Sequence, residues 1–235
     1  FDAIMERVEW WAELFQVPCV AFAASADEVA PLAAAGADFA ALAWILRQIV
    51  DRSGSIEHFF SEGLSPDAID TGAALESFST RALALDVAAV YGRRKPKPGV
   101  AYFFSRPSSG GACKRLNLFL RWVVRRDRVD LGLWTRVRPA QLIVPLDTHI
   151  VRVGRCLGLT RYVSPGWAMA SDITAALRRL DPDDPVRYDF SMCHMGMMNA
   201  CGFSRAQADS QCPLRGACRP RARRRPRSRR PSARR

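Results

Sequence analysis

Residues 144–153, with the sequence VPLDTHIVRV, are the stretch that decides the fold. The residues from 142 to 146 are apolar, so the chain leaves a buried segment just before Asp147. A carboxylate at this point is typical of a helix N-terminus, where the helix dipole favours an anion. Apolar residues then recur at helical spacing, while Arg152 and Arg155 lie on the opposite face. The stretch predicts a helix capped by Asp147, and it leaves open whether this carboxylate also has a functional role.

The composition is that of a globular protein. The chain has 235 residues, of which 49% are hydrophobic, enough for the core of one domain or of one domain with a fragment. It contains no run of about 18 apolar residues. Residues 1–43 carry acidic side chains throughout, unlike a secretory signal. We therefore expect no membrane span, no signal and a cytoplasmic location. The first residue, Phe1, is typical of an incomplete reading frame.

Most of the positive charge lies at the C-terminal end. The formal net charge is +12, and residues 219–235 contain ten Arg and no acid, which leaves +2 on the rest of the chain. Because this tail consists only of Arg, Pro, Ser and Ala, we predict that it is disordered. A solubilising extension and an arm that attracts nucleic-acid phosphates are both compatible with it.

The N-terminal part predicts a short β-α-β unit. After a helix over residues 2–14, the pattern predicts a strand at 18–24, a helix at 27–35 that Gly36 ends, and a second strand at 37–43. The runs EWWAELFQVPCVA (9–21), DEV (27–29) and AAAGADFAAL (33–42) resemble the carboxy-terminal end of the thiamine phosphate synthase barrel family. The resemblance implies a remnant of a TIM barrel without synthase activity, because barrel sites need loops from many strands.

From Trp44 onward the periodicity is helical. The pattern predicts helices at 44–50, 56–60, 66–89, from 114 onward, at 164–180 and at 186–200. We therefore expect a mainly α protein with three parts: a barrel fragment at 1–43, a helical domain at 44–218, and the basic tail at 219–235.

A glycine-rich turn precedes the helix that begins at Lys114. Small residues at 108–112 allow a backbone partner to approach closely, and free amides at such a turn suit a phosphate. The alternative interpretation is a tight turn before a core helix.

Four cysteines lie late in the chain, at positions 193, 201, 212 and 218. Four thiolates near a chain end are what an iron–sulfur cluster or a zinc ion needs. The loop from Cys212 to Cys218 is the most specific part of this pattern, although no C-x-x-C pair is present. The alternative is buried free thiols.

Residues 44–220 resemble an uncharacterised bacterial family (DUF2400-like) that is distantly related to the helix-hairpin-helix DNA glycosylases of the endonuclease III type. The resemblance rests on GGACKRLNLFLRW (110–122), residues 127–134, VPLDTH (144–149), LGL (157–159), DPVRYDF (184–190) and residues 212–218. It implies a helix-hairpin-helix fold that acts on double-stranded DNA, with Asp147 as the essential carboxylate and Lys114 as the hairpin lysine.

The same resemblance implies the further residues of the site. The implied DNA contacts are made by Gly110, Gly111, Arg115, Arg121, His149 and Arg152. The implied cofactor is a 4Fe–4S cluster, with zinc as the alternative, held by Cys193, Cys201, Cys212 and Cys218. Lys114 would attack the sugar of a flipped nucleotide, and we expect burial beside Arg115 and Arg121 to activate its amine. The rival hypothesis is a non-catalytic nucleic-acid-binding protein in which Asp147 only caps a helix.

Overall fold

The computed structural model describes residues 26–92 and 98–197, together with Leu214 and Ala217. Within these residues the secondary structure is helical, and no β-strand is present. A single isolated antiparallel bridge pairs Arg126 with Leu131 there. The prediction of a mainly α protein is confirmed. The predicted helix at 2–14, the predicted strand at 18–24 and the tail at 219–235 lie outside the described residues.

Helices of very different length follow one another along the described chain. The α-helices are α1 (Ala26–Ser53), α2 (Ile56–Ser61), α3 (Gly72–Leu83), α4 (Ala88–Tyr91), α5 (Pro98–Ala101), α6 (Lys114–Val124), α7 (Thr148–Cys156), α8 (Trp167–Arg178) and α9 (Asp189–Met197). Short 3-10 helices lie at Pro107–Ser109, Pro139–Gln141 and Pro185–Tyr188. None of the described helices is both long enough and apolar enough to cross a membrane.

Helix α1 corrects the predicted β-α-β unit. The strand predicted at 37–43 is wrong, because these residues lie inside one helix that continues through Gly36 and past residue 43. Alanine, the best helix former, dominates this segment, whereas strands favour β-branched and aromatic residues. Ala41, Ile45 and Ile49 are buried at a spacing of four residues, so packing of one helical face outweighs the cost of about 1 kcal/mol for Gly36 in the interior.

Three further predicted helices are found with shorter bounds. Those predicted at 164–180 and 186–200 correspond to α8 and α9. The helix predicted at 66–89 is divided into α3 and α4, and the Asp86 side chain accepts a hydrogen bond from the backbone N–H of Ala88 at the start of α4.

One hydrophobic core joins the two halves of the described chain. Residues 142–146 run through it with neither helix nor strand structure, and the backbone N–H of Val144 donates to the Thr174 hydroxyl at 3.0 Å. Small residues let α7 approach its neighbours: a Cβ at Gly154 would lie 2.8 Å from Ile173 on α8. This packing fixes the position of Asp147 at the start of α7.

Candidate functional site

The glycine-rich turn at residues 108–112, which we call the hairpin, is held at both sides. After the 3-10 helix Pro107–Ser109, Gly110 adopts a left-handed conformation with φ 79°. The backbone N–H and the hydroxyl of Ser108 both donate to the Glu76 carboxylate on α3, at 2.9 and 2.7 Å. The backbone bond from Ser108 lowers the pKa of Glu76. On the other side, the carbonyl of Gly110 accepts a hydrogen bond from the backbone N–H of Trp167 on α8.

Gly166 permits the contact between the hairpin and α8. A Cβ at this position would lie 2.6 Å from the carbonyl oxygen of Gly110, a backbone atom that cannot move aside easily. We expect Gly166→Ala to lower the free energy of unfolding by about 1–3 kcal/mol, as overpacking does elsewhere. Urea denaturation followed by circular dichroism measures this loss. Gly111→Ala is the matched control, since its Cβ would meet only the Ser109 hydroxyl at 3.8 Å. Equal stability of the two variants would show that close packing of the hairpin against Gly166 does not contribute to stability.

Lys114 is the first residue of α6 and directly follows the hairpin. Its side chain is exposed, so the burial that we expected to activate it is not found. Cys113, before it, has φ 49° and is the one non-glycine residue with positive φ in the described part of the chain. Next to Lys114, the Arg115 guanidinium lies 4.4 Å from the centroid of the Tyr102 ring. Lys114 and Arg115 therefore both face solvent beside an ordered turn.

Asp147 is the N-cap of α7, as the sequence predicts. Its Oδ1 accepts a hydrogen bond from the backbone N–H of Ile150 at 2.7 Å. Its Oδ2 accepts a second hydrogen bond from the Cys193 thiol on α9 at 3.3 Å. The carboxylate is thus held by donors from two different helices.

Asp147 and Lys114 both act on the Cys193 thiol. The pKa of Cys193 is raised to about 11 by burial, by the Asp147 carboxylate that accepts its hydrogen bond, and by the charge of Asp189. The Lys114 ammonium acts in the opposite direction and lowers it. Lys114 is therefore within electrostatic reach of the thiol that touches Asp147. The two predicted catalytic residues thus influence one thiol with opposite sign, a relation that the sequence analysis did not predict.

A buried ion-pair network sets the relative position of α6 and α9. The Arg121 guanidinium donates to Asp130 at 2.6 Å and to Asp189 at 2.9 Å. The Arg125 guanidinium pairs with Asp130 and with Asp184. Burial raises the pKa of Asp189 to about 6, against the opposing charge of Arg121. The network links the helix that carries Lys114 to the helix that carries Cys193.

The structure does not support the prediction that Arg121 contacts DNA. Its side chain is only 5% exposed, and both of its carboxylate partners are interior. A guanidinium in this environment does not reach a phosphate, because separating it from two buried carboxylates is costly. We therefore assign Arg121 to the framework of the site.

The other predicted contacts lie at or near the surface. Gly110, Gly111, Arg115 and Arg152 are exposed, and His149 is half-buried. The Nδ1 atom of His149 is enclosed and has no hydrogen-bond partner within the described chain. Gly196 packs against its ring, and a Cβ there would lie 2.6 Å from the His149 Cβ. This close approach brings α9 against the start of α7.

Cys193 is the one predicted cluster ligand within the described part of the chain, and there its thiol donates to the Asp147 carboxylate. Among the described residues, no group of three or more His, Cys, Asp or Glu side chains could hold a metal ion. The other predicted ligands, Cys201, Cys212 and Cys218, lie outside the described part of the chain.

The chain belongs to a family described as proteins of unknown function (DUF2400), whose model matches residues 32–198. The match covers the hairpin, Lys114, Asp147, the buried ion pairs and Cys193. It begins inside α1, before the boundary predicted at residue 43. Comparison with curated proteins and with solved structures found no significant match.

Proposed function

We propose that the protein acts on DNA as a base-excision enzyme of the glycosylase and abasic-site lyase type, with Lys114 as the nucleophile and Asp147 as its charge partner. The observation that carries this proposal is that the Cys193 thiol donates to Asp147, while the charge of Lys114, which lies on a different helix, lowers the pKa of the same thiol. An amine directly after a turn with exposed glycines and a carboxylate ordered at the start of a later helix are the two groups that such chemistry needs.

The chemistry follows from the two groups. A nucleotide turned out of the duplex exposes its anomeric carbon. The neutral amine of Lys114 attacks this carbon, the bond to the base breaks, and the base leaves with its electron pair and a proton. At an abasic sugar the same amine condenses with the aldehyde and releases water. The Asp147 carboxylate stabilises the positive charge that develops on the sugar and carries protons between steps.

The surface around Lys114 is suited to a phosphate backbone. Arg115 and Arg152 are exposed cations, and the Tyr102 ring restricts the guanidinium of Arg115. The Gly111 amide lies on an exposed turn, whereas the Gly110 N–H donates to the Pro107 carbonyl. The Arg-rich tail at 219–235 adds non-specific affinity through the release of counterions.

The amine that forms a covalent adduct can be identified by mutation because the chain contains few lysines. Of 35 basic residues, the lysines are Lys95, Lys97 and Lys114, and all the others are Arg. Arg cannot form a Schiff base at neutral pH, since its guanidinium stays protonated. A covalent adduct therefore has three candidate side chains and the terminal amine.

The test is borohydride trapping on a duplex that contains one abasic site. The parent protein should give a covalent adduct of the chain with the DNA strand. Lys114→Arg should give none, although it keeps the positive charge and therefore the affinity. Lys97→Arg is the matched control and should trap like the parent. An adduct that survives Lys114→Arg would overturn the assignment.

A second function from another class has its own support. Lys114 is exposed, and Asp147 uses one oxygen to cap α7, as expected for a non-catalytic nucleic-acid-binding protein. Retained binding of the duplex, with neither an adduct nor strand cleavage by the parent protein, would favour this alternative.

The 4Fe–4S cluster, or zinc in its place, held by Cys193, Cys201, Cys212 and Cys218, stays a prediction. None of the steps above passes through it. Metal analysis and the visible spectrum of anaerobically purified protein test it: bound iron with a broad brown absorption supports a cluster, and bound zinc without colour supports zinc. Protein that holds neither metal would contradict it.

A further inference from the structure

We infer that residues 126–133, which we call the 126–133 turn, form a second DNA-contact element at the far end of α6 from Lys114. Arg126 and Arg128 contact phosphates of the duplex, and the apolar tip residue Val129 contacts its groove. The inference rests on the proposed function in one respect only, namely that the partner is DNA.

The 126–133 turn has a fixed shape. An antiparallel bridge pairs Arg126 with Leu131. At the tip, Oδ1 of Asp127 accepts hydrogen bonds from the backbone N–H groups of Val129 and Asp130, at 2.8 and 2.9 Å. The Asp130 carboxylate is fully buried in the ion-pair network that links α6 to α9. Because the backbone is already ordered, binding through this turn costs little conformational entropy.

The turn displays apolar side chains to solvent. Val129 is 54% exposed, and Leu131 and Leu133 are exposed as well. The backbone N–H of Leu131 donates to the carbonyl of Trp122 at 2.7 Å, and Trp122 at the end of α6 is also exposed. Single exposed apolar residues need no explanation, whereas a cluster of them is typical of a contact surface.

The charge of this surface indicates the kind of partner. Arg126 and Arg128 are exposed. The two carboxylates of the turn do not offset them, since Asp127 pairs with the Arg125 guanidinium at 2.9 Å and Asp130 is buried. Exposed arginines beside apolar side chains suit DNA, because the cations neutralise phosphates while the apolar groups contact sugars and base edges in the groove.

Helix α6 connects the 126–133 turn with the hairpin. Arg115 and Trp122 are seven residues apart, so they lie on one face of the helix, and both are exposed. Its 11 residues give α6 a length of about 16 Å, which corresponds to about five base pairs. One duplex that lies along this face therefore contacts the hairpin and the turn together, which favours DNA over an acidic protein as the partner.

The primary test measures duplex affinity for two matched double variants of the full chain. Fluorescence anisotropy with a labelled duplex that contains one abasic site gives the Kd at several salt concentrations. Arg128→Gln/Val129→Ser should weaken binding about tenfold at about 0.1 M salt and reduce the slope of log Kd against log salt by about one, since a phosphate contact is lost.

Arg179→Gln/Leu180→Ser is the matched control. Arg179 and Leu180 are an exposed Arg and an exposed apolar residue directly after α8, so the control removes the same charge and a similar apolar side chain. It should leave the Kd within about twofold and the salt slope unchanged. Equal losses in the two variants would overturn the inference, because net charge and not the turn would then determine affinity.

Hydroxyl-radical footprinting locates the contact on the DNA. The parent protein should protect the abasic site and a second region about five base pairs away. Arg128→Gln/Val129→Ser should lose the second protection and keep the first. Protection by the parent that is confined to the abasic site would contradict the inference.

Other occupants and the proposed chemistry have separate readouts. A parent dimer that Arg128→Gln/Val129→Ser converts to monomer in sedimentation would assign the surface to a second copy of the chain and overturn the inference, as would a parent that binds no duplex. If the parent binds duplex through the turn but gives no borohydride adduct, the inference stands and only the proposed catalytic function fails.

Discussion

Replacement of Arg121 by Met is expected to lower the free energy of unfolding by about 3–5 kcal/mol at pH 7.5. The change leaves Asp189, only 8% exposed, without the one ion pair that it forms within the described chain. It also removes one of the two cations that neutralise Asp130, a fully buried carboxylate. Removing one side of a buried ion pair is costly because the remaining charge has neither water nor a partner.

The loss of stability in Arg121→Met should be larger at neutral than at acidic pH. With its pKa near 6, Asp189 holds a proton in the folded protein over a pH range in which the unfolded chain has released it. This group therefore favours folding most at low pH, and its contribution falls as the pH rises from about 4 to about 6. Without Arg121 the pKa of Asp189 rises further. The deficit of Arg121→Met should thus be smaller at pH 5 than at pH 7.5.

Urea denaturation at the two pH values, followed by circular dichroism, measures this effect. Arg152→Met is the matched control because Arg152 lies at an exposed position of α7. This variant should change the free energy of unfolding by less than about 0.5 kcal/mol. If Arg121→Met were as stable as Arg152→Met, the buried network would not be the framework of the site.

Replacement of Asp147 by Asn is expected to reduce the rate of borohydride-trapped adduct formation by about 100-fold or more. Asn is as good an N-cap as Asp, so its side-chain oxygen still accepts the bond from Ile150 N–H and α7 should remain intact. The variant loses the negative charge that stabilises the developing sugar cation. Duplex affinity should stay within about twofold, since Asp147 does not contribute to phosphate attraction.

Asp147→Ala separates the two roles of this residue. It removes the cap as well as the charge and should lower the free energy of unfolding by about 1 kcal/mol, whereas Asp147→Asn should leave it nearly unchanged. Single-turnover trapping and denaturation on the same three proteins provide both readouts. Parent-like trapping by Asp147→Asn would mean that Asp147 is a cap and nothing more.

The local features of the site could be predicted from the sequence because short-range physics determines them. An Asp before an amphipathic run predicts a capped helix, and the structure has one from Thr148 to Cys156. The glycines at 110 and 111 likewise predict a turn before α6, and Gly110 adopts the positive φ that such a turn requires.

The failures have physical causes of two kinds. The run at 37–43 is short and apolar, and such a run fits a strand or a buried helix equally well until its partners are known. Arg121 resembles a surface cation in the sequence, but its partner Asp189 is 68 positions away. Cys193 and Asp147 are 46 positions apart, so the sequence could not predict the hydrogen bond between them.

The measurement that tests the central claim most directly is the location of the reduced adduct on the parent protein. The chain is trapped on an abasic duplex with borohydride, digested, and its peptides are analysed for the mass of the sugar remnant. The account predicts the modification at Lys114, with none at Lys95, Lys97 or the terminal amine. Modification at one of those other amines, or no covalent adduct at all, would contradict it.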